Sequence, residues 1–174
     1  MPTLLVSTTD FTGQYAIATD VKTAAKLQSY IDTYEEEYIL KLLGKELGDL
    51  FIASVSGGVP VGARYLTIFN ELTYEDSCGV LRISKGMLTY LVAAIFYHYV
   101  ADGMTESTQA GIGTANVDTA LRGSLATQLR HAESRFNEAL KTAWAIQEYC
   151  NTEEPATYPE YNGQTLEVAY SSFF

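Results

Sequence analysis

The residues that could do chemistry are few, and their spacing argues against each familiar arrangement. The histidines are His98 and His131. A helical di-iron site needs inward-facing Glu-x-x-His pairs, yet Ile95 and Gln128 stand three residues before the two histidines. His98 sits in an apolar run and reads as a core or interface histidine with a satisfied ring. His131, beside Arg130, Glu133 and Arg135, reads as a surface residue. Cys78 and Cys150 are the only cysteines; without a CxxC or a Cys/His cluster they read as two reduced thiols.

Gly111-Ile112-Gly113 opens like a dinucleotide-binding loop, but Asn116 stands at the last position and a helix precedes it. Such a loop needs strand, turn and helix to aim backbone amides at a phosphate. Gly57-Gly58 lacks the Gly-Lys-Ser/Thr of a P-loop and reads as a turn. No GxSxG is present for a nucleophile and its base. Glu35, Glu36 and Glu37 could serve acid–base work, but three successive acids cannot share a helix face and read as a partly solvated surface or a subunit contact. The sequence therefore nominates no catalytic residue, no metal ligand and no cofactor site.

Composition narrows the field further. The 174 residues suit one domain, or one domain with arms. A net charge of -10 speaks against a nucleic-acid-binding module, which needs a basic face. The opening MPTLLVSTTD lacks the basic and long apolar regions of a signal peptide. The longest apolar run, Leu91 to Tyr97, falls short of the ~20 residues a membrane span requires. Thirteen tyrosines are unusual, and Tyr suits places where one end is buried and the other wet.

The elements that must position these residues are mainly helical. Thr3 to Val6 and Tyr15 to Ala18 read as an extended arm or small hairpin. Asp20 is a candidate N-cap for a helix to about Leu43, with Leu27, Tyr30, Ile31, Tyr34, Tyr38, Ile39 and Leu42 near one face and Gly44 as its stop. Lys45 to Ala53 and Arg64 to Leu72 read as short helices around a loop at Ser54 to Gly62. Thr73 to Ile83 reads as irregular, with a brief strand at Val80 to Ile83. Ser84 then caps the central helix, Lys85 to Gly103, which is apolar on nearly every face and so belongs inside the others.

A polar strap, MTESTQAGIGTANV, follows. Asp118 caps a last helix to about Tyr149 with a stripe of Leu121, Leu125, Leu129, Ala132, Phe136, Leu140 and Ala143. That helix is ~45 Å long at the usual rise. Pro155, Pro159 and Gly163 exclude helix from Asn151 to Phe174. The tail is nonetheless rich in Tyr158, Tyr161, Leu166, Val168, Tyr170, Phe173 and Phe174, and reads as a docking arm. The expected architecture is a small helical bundle around a central apolar helix, with a long C-terminal helix. It divides into an N-terminal arm at 1–20, a helical domain at 21–150 and an extended C-terminal arm at 151–174.

The order of these features carries a resemblance. IDTYEEEYILKLLGKELGDLFIA (residues 31–53) leads to RYLTIFNEL (64–72), then to MLTYLVAAIFYHYVADG (87–103), the strap, and ESRFNEALKTAWAIQEY in the last helix. This layout resembles the head–tail connector (adaptor) proteins of tailed phages, over roughly residues 31–149. The resemblance implies a non-enzymatic ring, usually of about twelve copies, assembled in the host cytoplasm and built into the virion between the portal protein and adjacent neck or tail proteins. DNA would pass through its lumen without specific binding, and no membrane is involved.

In such rings the strap reaches a neighbouring copy, which implies subunit contacts at Thr105, Thr108, Gln109, Ile112, Thr114 and Asn116. The tail would engage the portal or the next ring through Tyr158, Tyr161, Leu166, Tyr170, Phe173 and Phe174. The acidic balance would suit a bore that DNA slides past. Removing residues 151–174 should then leave the helices folded while weakening assembly. The alternatives are another neck or tail-completion ring protein, or a small helical enzyme or ligand-binding protein with a pocket lined by Tyr90, Tyr97 and His98.

Overall fold

The computed structural model describes the backbone of residues 4–17, 21–103, 107–108, 111–112 and 119–168, and the side chains of 4–17, 23–102 and 127–168. Among these residues five α-helices run in the order α1 (Val21–Leu43), α2 (Lys45–Ala53), α3 (Ala63–Phe69), α4 (Met87–Gly103) and α5 (Thr119–Glu148). Three two-stranded antiparallel hairpins separate them: β1–β2 (Val55–Ser56, Val59–Pro60), β3–β4 (Leu72–Glu75, Leu81–Ser84) and β5–β6 (Ser107–Thr108, Gly111–Ile112). The fold is mainly helical, as the periodicity predicts.

Helix α4 is the centre. Met87 and every residue from Tyr90 to Phe96 are buried, because α1 packs on one side and α5 on the other. Helix α1 presents Leu27, Ile31, Tyr38, Ile39 and Leu42 to this core, and α5 presents Leu129, Ala132, Phe136, Leu140 and Ala143. The expected stripes of both helices are the faces that pack, wherever they are described. Leu121, Leu125 and the proposed caps Asp20 and Asp118 lie outside the described side chains.

Helix α1 stops where Gly44 takes a positive φ of 81° and its N–H returns to the Leu40 carbonyl at 2.8 Å. A Cβ at Gly44 would collide with the backbone of Asn162, so the C-terminal segment depends on this glycine as much as the helix does. The next loop is a hairpin, with Gly57 and Gly58 both at positive φ between paired Ser56 and Val59. Two consecutive left-handed residues match the right-handed twist of the flanking strands.

Three expectations for the connections are corrected. Thr73 to Ile83 is a regular hairpin, pairing Leu72 with Ser84 and Glu75 with Leu81. Its turn is organised by the Asp76 carboxylate, which accepts the N–H groups of Cys78 and Val80, each at 2.9 Å. Ser84 does not cap α4: its hydroxyl accepts the Gly86 N–H in the turn before the helix. At the start of the chain, residues 4–17 form no hairpin but two 3-10 turns, Thr8–Asp10 and Gly13–Tyr15, laid against the helices.

The described segments before α1 and after α5 also contribute to the core. Leu5, Val6 and Phe11 are buried in the same cluster as α1 and α4, and so are Tyr158 and Leu166. The packed unit thus extends past both expected arm boundaries, at 20 and at 150. After α5 a π-turn at Tyr149–Glu153 reverses the chain, and residues 154–168 run back over α3, α1 and α5. Asn162 and Gln164 donate their N–H groups to the carbonyls of Leu43 and Lys41, at 3.2 and 2.9 Å. The last turn of a helix has no partners of its own for those carbonyls, so the segment completes α1. Among the described residues no helix is long and apolar enough to cross a membrane.

Candidate functional site

His98 lies on α4, facing the tyrosines of α1. Its Nε2 shares a hydrogen bond of 2.8 Å with the Tyr38 hydroxyl, and its ring stacks on Tyr34 with centroids 4.0 Å apart and planes 6° from parallel. Helical spacing produces this cluster: Tyr30, Tyr34 and Tyr38 recur every four residues on α1, and His98 and Tyr99 meet them from α4. Burial holds the His98 imidazole below its usual range, against the opposite pull of Asp102 and Glu37. Burial also pushes the Tyr38 and Tyr90 hydroxyls well above theirs. Near neutrality the cluster is therefore a set of uncharged rings, with His98 as a satisfied core-edge histidine.

Beside it lies a cleft of about 390 Å³ lined by Tyr38, Lys41, Tyr90, Tyr97, Phe136 and the backbone segment Gln164 to Glu167. Of the three expected pocket residues, Tyr90 and Tyr97 line it and His98 does not. The Tyr90 hydroxyl is buried and has no hydrogen-bond partner among the described residues. Lys41 stands at the lip but is already paired with Glu37 at 2.6 Å. Among the described residues no group of three or more His, Cys, Asp or Glu side chains is placed to hold a metal ion. Burial raises the Cys150 thiol to about 12, and Cys78 is exposed on the β3–β4 turn. His131 is exposed on α5.

Glu35, expected in a partly solvated run or at a subunit contact, is instead only 3% exposed within the chain itself. Its Oε1 accepts the N–H groups of Leu5 and Val6, both at 2.7 Å, and its Oε2 accepts that of Leu4 at 3.1 Å. Glu36 and Glu37 are exposed, so only one member of the acidic run turns inward. The signal for it was present, since Glu35 sits four residues from both Ile31 and Ile39 on the apolar stripe.

The expected interface residues fall into three groups. Thr108 and Ile112 lie in the β5–β6 hairpin, where Thr108 pairs with Gly111 and Ser107 with Ile112. Gly111-Ile112 is thus a strand, unlike a phosphate-binding turn at the mouth of a helix. Thr105, Gln109, Thr114, Asn116, Tyr170, Phe173 and Phe174 lie outside the described residues.

Tyr158, Tyr161 and Leu166 turn to the chain's own core, which corrects the expectation that they are held out to engage the portal or the next ring. Tyr158 and Leu166 are buried, Tyr161 is half-buried, and the Tyr158 hydroxyl donates to the Arg64 carbonyl at 2.7 Å. Arg64 in turn reaches the Glu160 carboxylate at 3.2 Å. The physical reason is the π-turn, which folds the tail back onto apolar surface that α1, α3 and α5 leave uncovered.

Large apolar residues are exposed at two hairpins, Val59 and Val61 at β1–β2 with Leu50 before them, and a second set at β3–β4. Val80, Leu81 and Ile83 of the β3–β4 hairpin are large apolar residues open to solvent, as is Trp144 on α5. Compared with protein-family models, with curated proteins and with solved structures, the chain matches none.

Proposed function

We propose that the chain is a structural subunit of a head–tail connector in a tailed-phage virion, a ring beneath the portal through which DNA passes. The observation that carries the reading is the apolar surface of the β3–β4 hairpin. Leu81 and Ile83 each keep 57% of their surface exposed, side by side on one face. Contiguous exposed aliphatics on a folded chain mark a surface meant to be covered, and a ring subunit covers such a surface with its neighbours. The layout of helices and strap that resembles connector proteins supports the same reading.

In the ring, strap residues Thr105, Thr108, Gln109, Ile112, Thr114 and Asn116 reach a neighbouring copy. Contact with the portal or an adjacent neck ring falls to Tyr170, Phe173 and Phe174, since Tyr158 and Leu166 are already used within the subunit. The net charge of -10 suits a bore that repels phosphate rather than binding it.

The test is the mass of the purified chain by mass photometry, with negative-stain images, alone and with portal protein. Rings that bind portal are expected. A compact monomer that ignores portal overturns the reading. The second reading, a small-ligand protein, is favoured by the cleft at Tyr90 and Tyr97 with its unpartnered hydroxyl. It would be recognised by that monomer binding a metabolite.

A further inference from the structure

Two open surfaces lie at different levels of α5, and their chemistries are complementary. The first is the outer face of the β3–β4 hairpin. Register sets Thr73 opposite Ile83 and Glu75 opposite Leu81. These four side chains are exposed, whereas their alternates Leu72, Tyr74, Arg82 and Ser84 are wholly or partly covered. Glu71, just before the strand, is exposed as well. The face is therefore aliphatic with an acidic edge.

The second surface is a groove of about 680 Å³ between the N-terminal segment, α4 and the first half of α5. Ile17, Phe96, Tyr99 and Val100 make its apolar part, and Gln128, His131 and Arg135 border it from α5. Among the described residues that line it, none carries a carboxylate. In a chain of net charge -10 that is a local reversal of sign. The Arg135 guanidinium is held in place, donating to the Gln14 carbonyl and lying 5.8 Å from the centre of the Phe96 ring. A planar fork so fixed has further N–H groups for a carboxylate.

A subunit's hairpin is anchored away from its own groove. The Lys85 N–H bonds to the Thr142 hydroxyl and the Tyr74 hydroxyl to the Ala145 carbonyl, so the hairpin sits on the last turns of α5. The groove is bordered by residues 128–135, which places the two roughly 20 Å apart along the helix. We propose that the outer hairpin face of one copy docks in the groove of the next. Leu81 and Ile83 cover the half-buried Ile17, Tyr99 and Val100, and the acidic edge meets His131 and Arg135. A contact between two different patches is head-to-tail and closes into a ring when the rotation permits. The inference rests on the ring reading and names the surfaces that would join its subunits.

The experiment uses the full chain. A hairpin variant, Leu81→Asp with Ile83→Asp, keeps its groove. A groove variant, Gln128→Glu with His131→Glu, keeps its hairpin. All four positions are exposed, and a thermal melt of each variant checks the fold. Should the Asp pair melt early, Leu81→Ala with Ile83→Ala takes its place. Each variant alone is expected to lose self-association by about a hundredfold. An equimolar mixture is expected to give a one-to-one dimer, through the one intact pair of surfaces. If the wild type forms rings and either folded variant does so equally well, or the mixture yields no dimer, the inference is overturned while the ring reading stands. A wild type that stays monomeric overturns both.

Discussion

Residues 4–17 and residues 149–168 both lie on the helices, but one is tied by a carboxylate and the other by rings and carbonyls. The N-terminal segment places Leu5 and Val6 in the core, and its backbone amides converge on the two oxygens of Glu35. The C-terminal segment buries Tyr158 and Leu166 and supplies N–H groups to the open end of α1. The first attachment is concentrated in one side chain, and the second is spread over many. A concentrated attachment can be cut by one substitution, whereas a spread one yields only in parts.

The comparison can be broken hardest by removing residues 151–174. Burial of Tyr158 and Leu166 alone contributes about 4 kcal/mol, and loss of the α1 end contacts adds to it. The truncated chain is expected to melt ~10 °C or more below the full chain by circular dichroism. A truncated chain that melts with the full one would mean the tail is a free arm after all.

The next largest effect falls at the other end. Glu35→Ala leaves the amides of Leu4, Leu5 and Val6 without their acceptor, at an expected cost of about 3 kcal/mol. Hydrogen exchange should quicken at Leu5 and Val6 while Asn162 and Gln164 stay protected. Equal loss of protection at both ends would show that the two attachments are one cooperative unit.

A single cut in the spread attachment should do less. Tyr158→Phe keeps the buried ring and removes only the bond to the Arg64 carbonyl, for about 1 kcal/mol in a denaturant titration. A loss as large as that of Glu35→Ala would erase the distinction between the two ends.

The smallest effect is at His98, which neither segment touches in the described contacts. Burial lowers its folded-state affinity for a proton, so the unfolded chain takes the proton first as pH falls. Its contribution is thus present above the ordinary histidine range and declines below it. The stability difference between wild type and His98→Phe should narrow between about pH 7.5 and 5. A widening would show that Asp102 and Glu37 outweigh burial.

How much of this was legible in the chain depends on range. The stripes of α1 and α5, the stop at Gly44 and the central place of α4 follow from periodicity and glycine chemistry within a few turns of helix. The β3–β4 hairpin was only half legible. Val80 to Ile83 reads as a strand, but its partner Leu72 to Glu75 is defined by Asp76 gathering the amides of Cys78 and Val80. Glu35 looked like one acid of three because exposure was inferred from its neighbours, although its position on the apolar stripe pointed inward. Tyr158 and Leu166 looked like an arm because nothing in their own segment says which surface lies beneath them.

The sequence by itself thus determined a helical chain centred on residues 87–103, with two histidines outside any recognised ligand or catalytic spacing. Only the tertiary structure decided which polar groups turned inward and where residues 4–17 and 149–168 docked. The division has a physical cause. A helix face is set by residues three and four apart, which the chain carries in order. The partner of a buried carboxylate, or of an open helix end, is set by which distant segment happens to cover it.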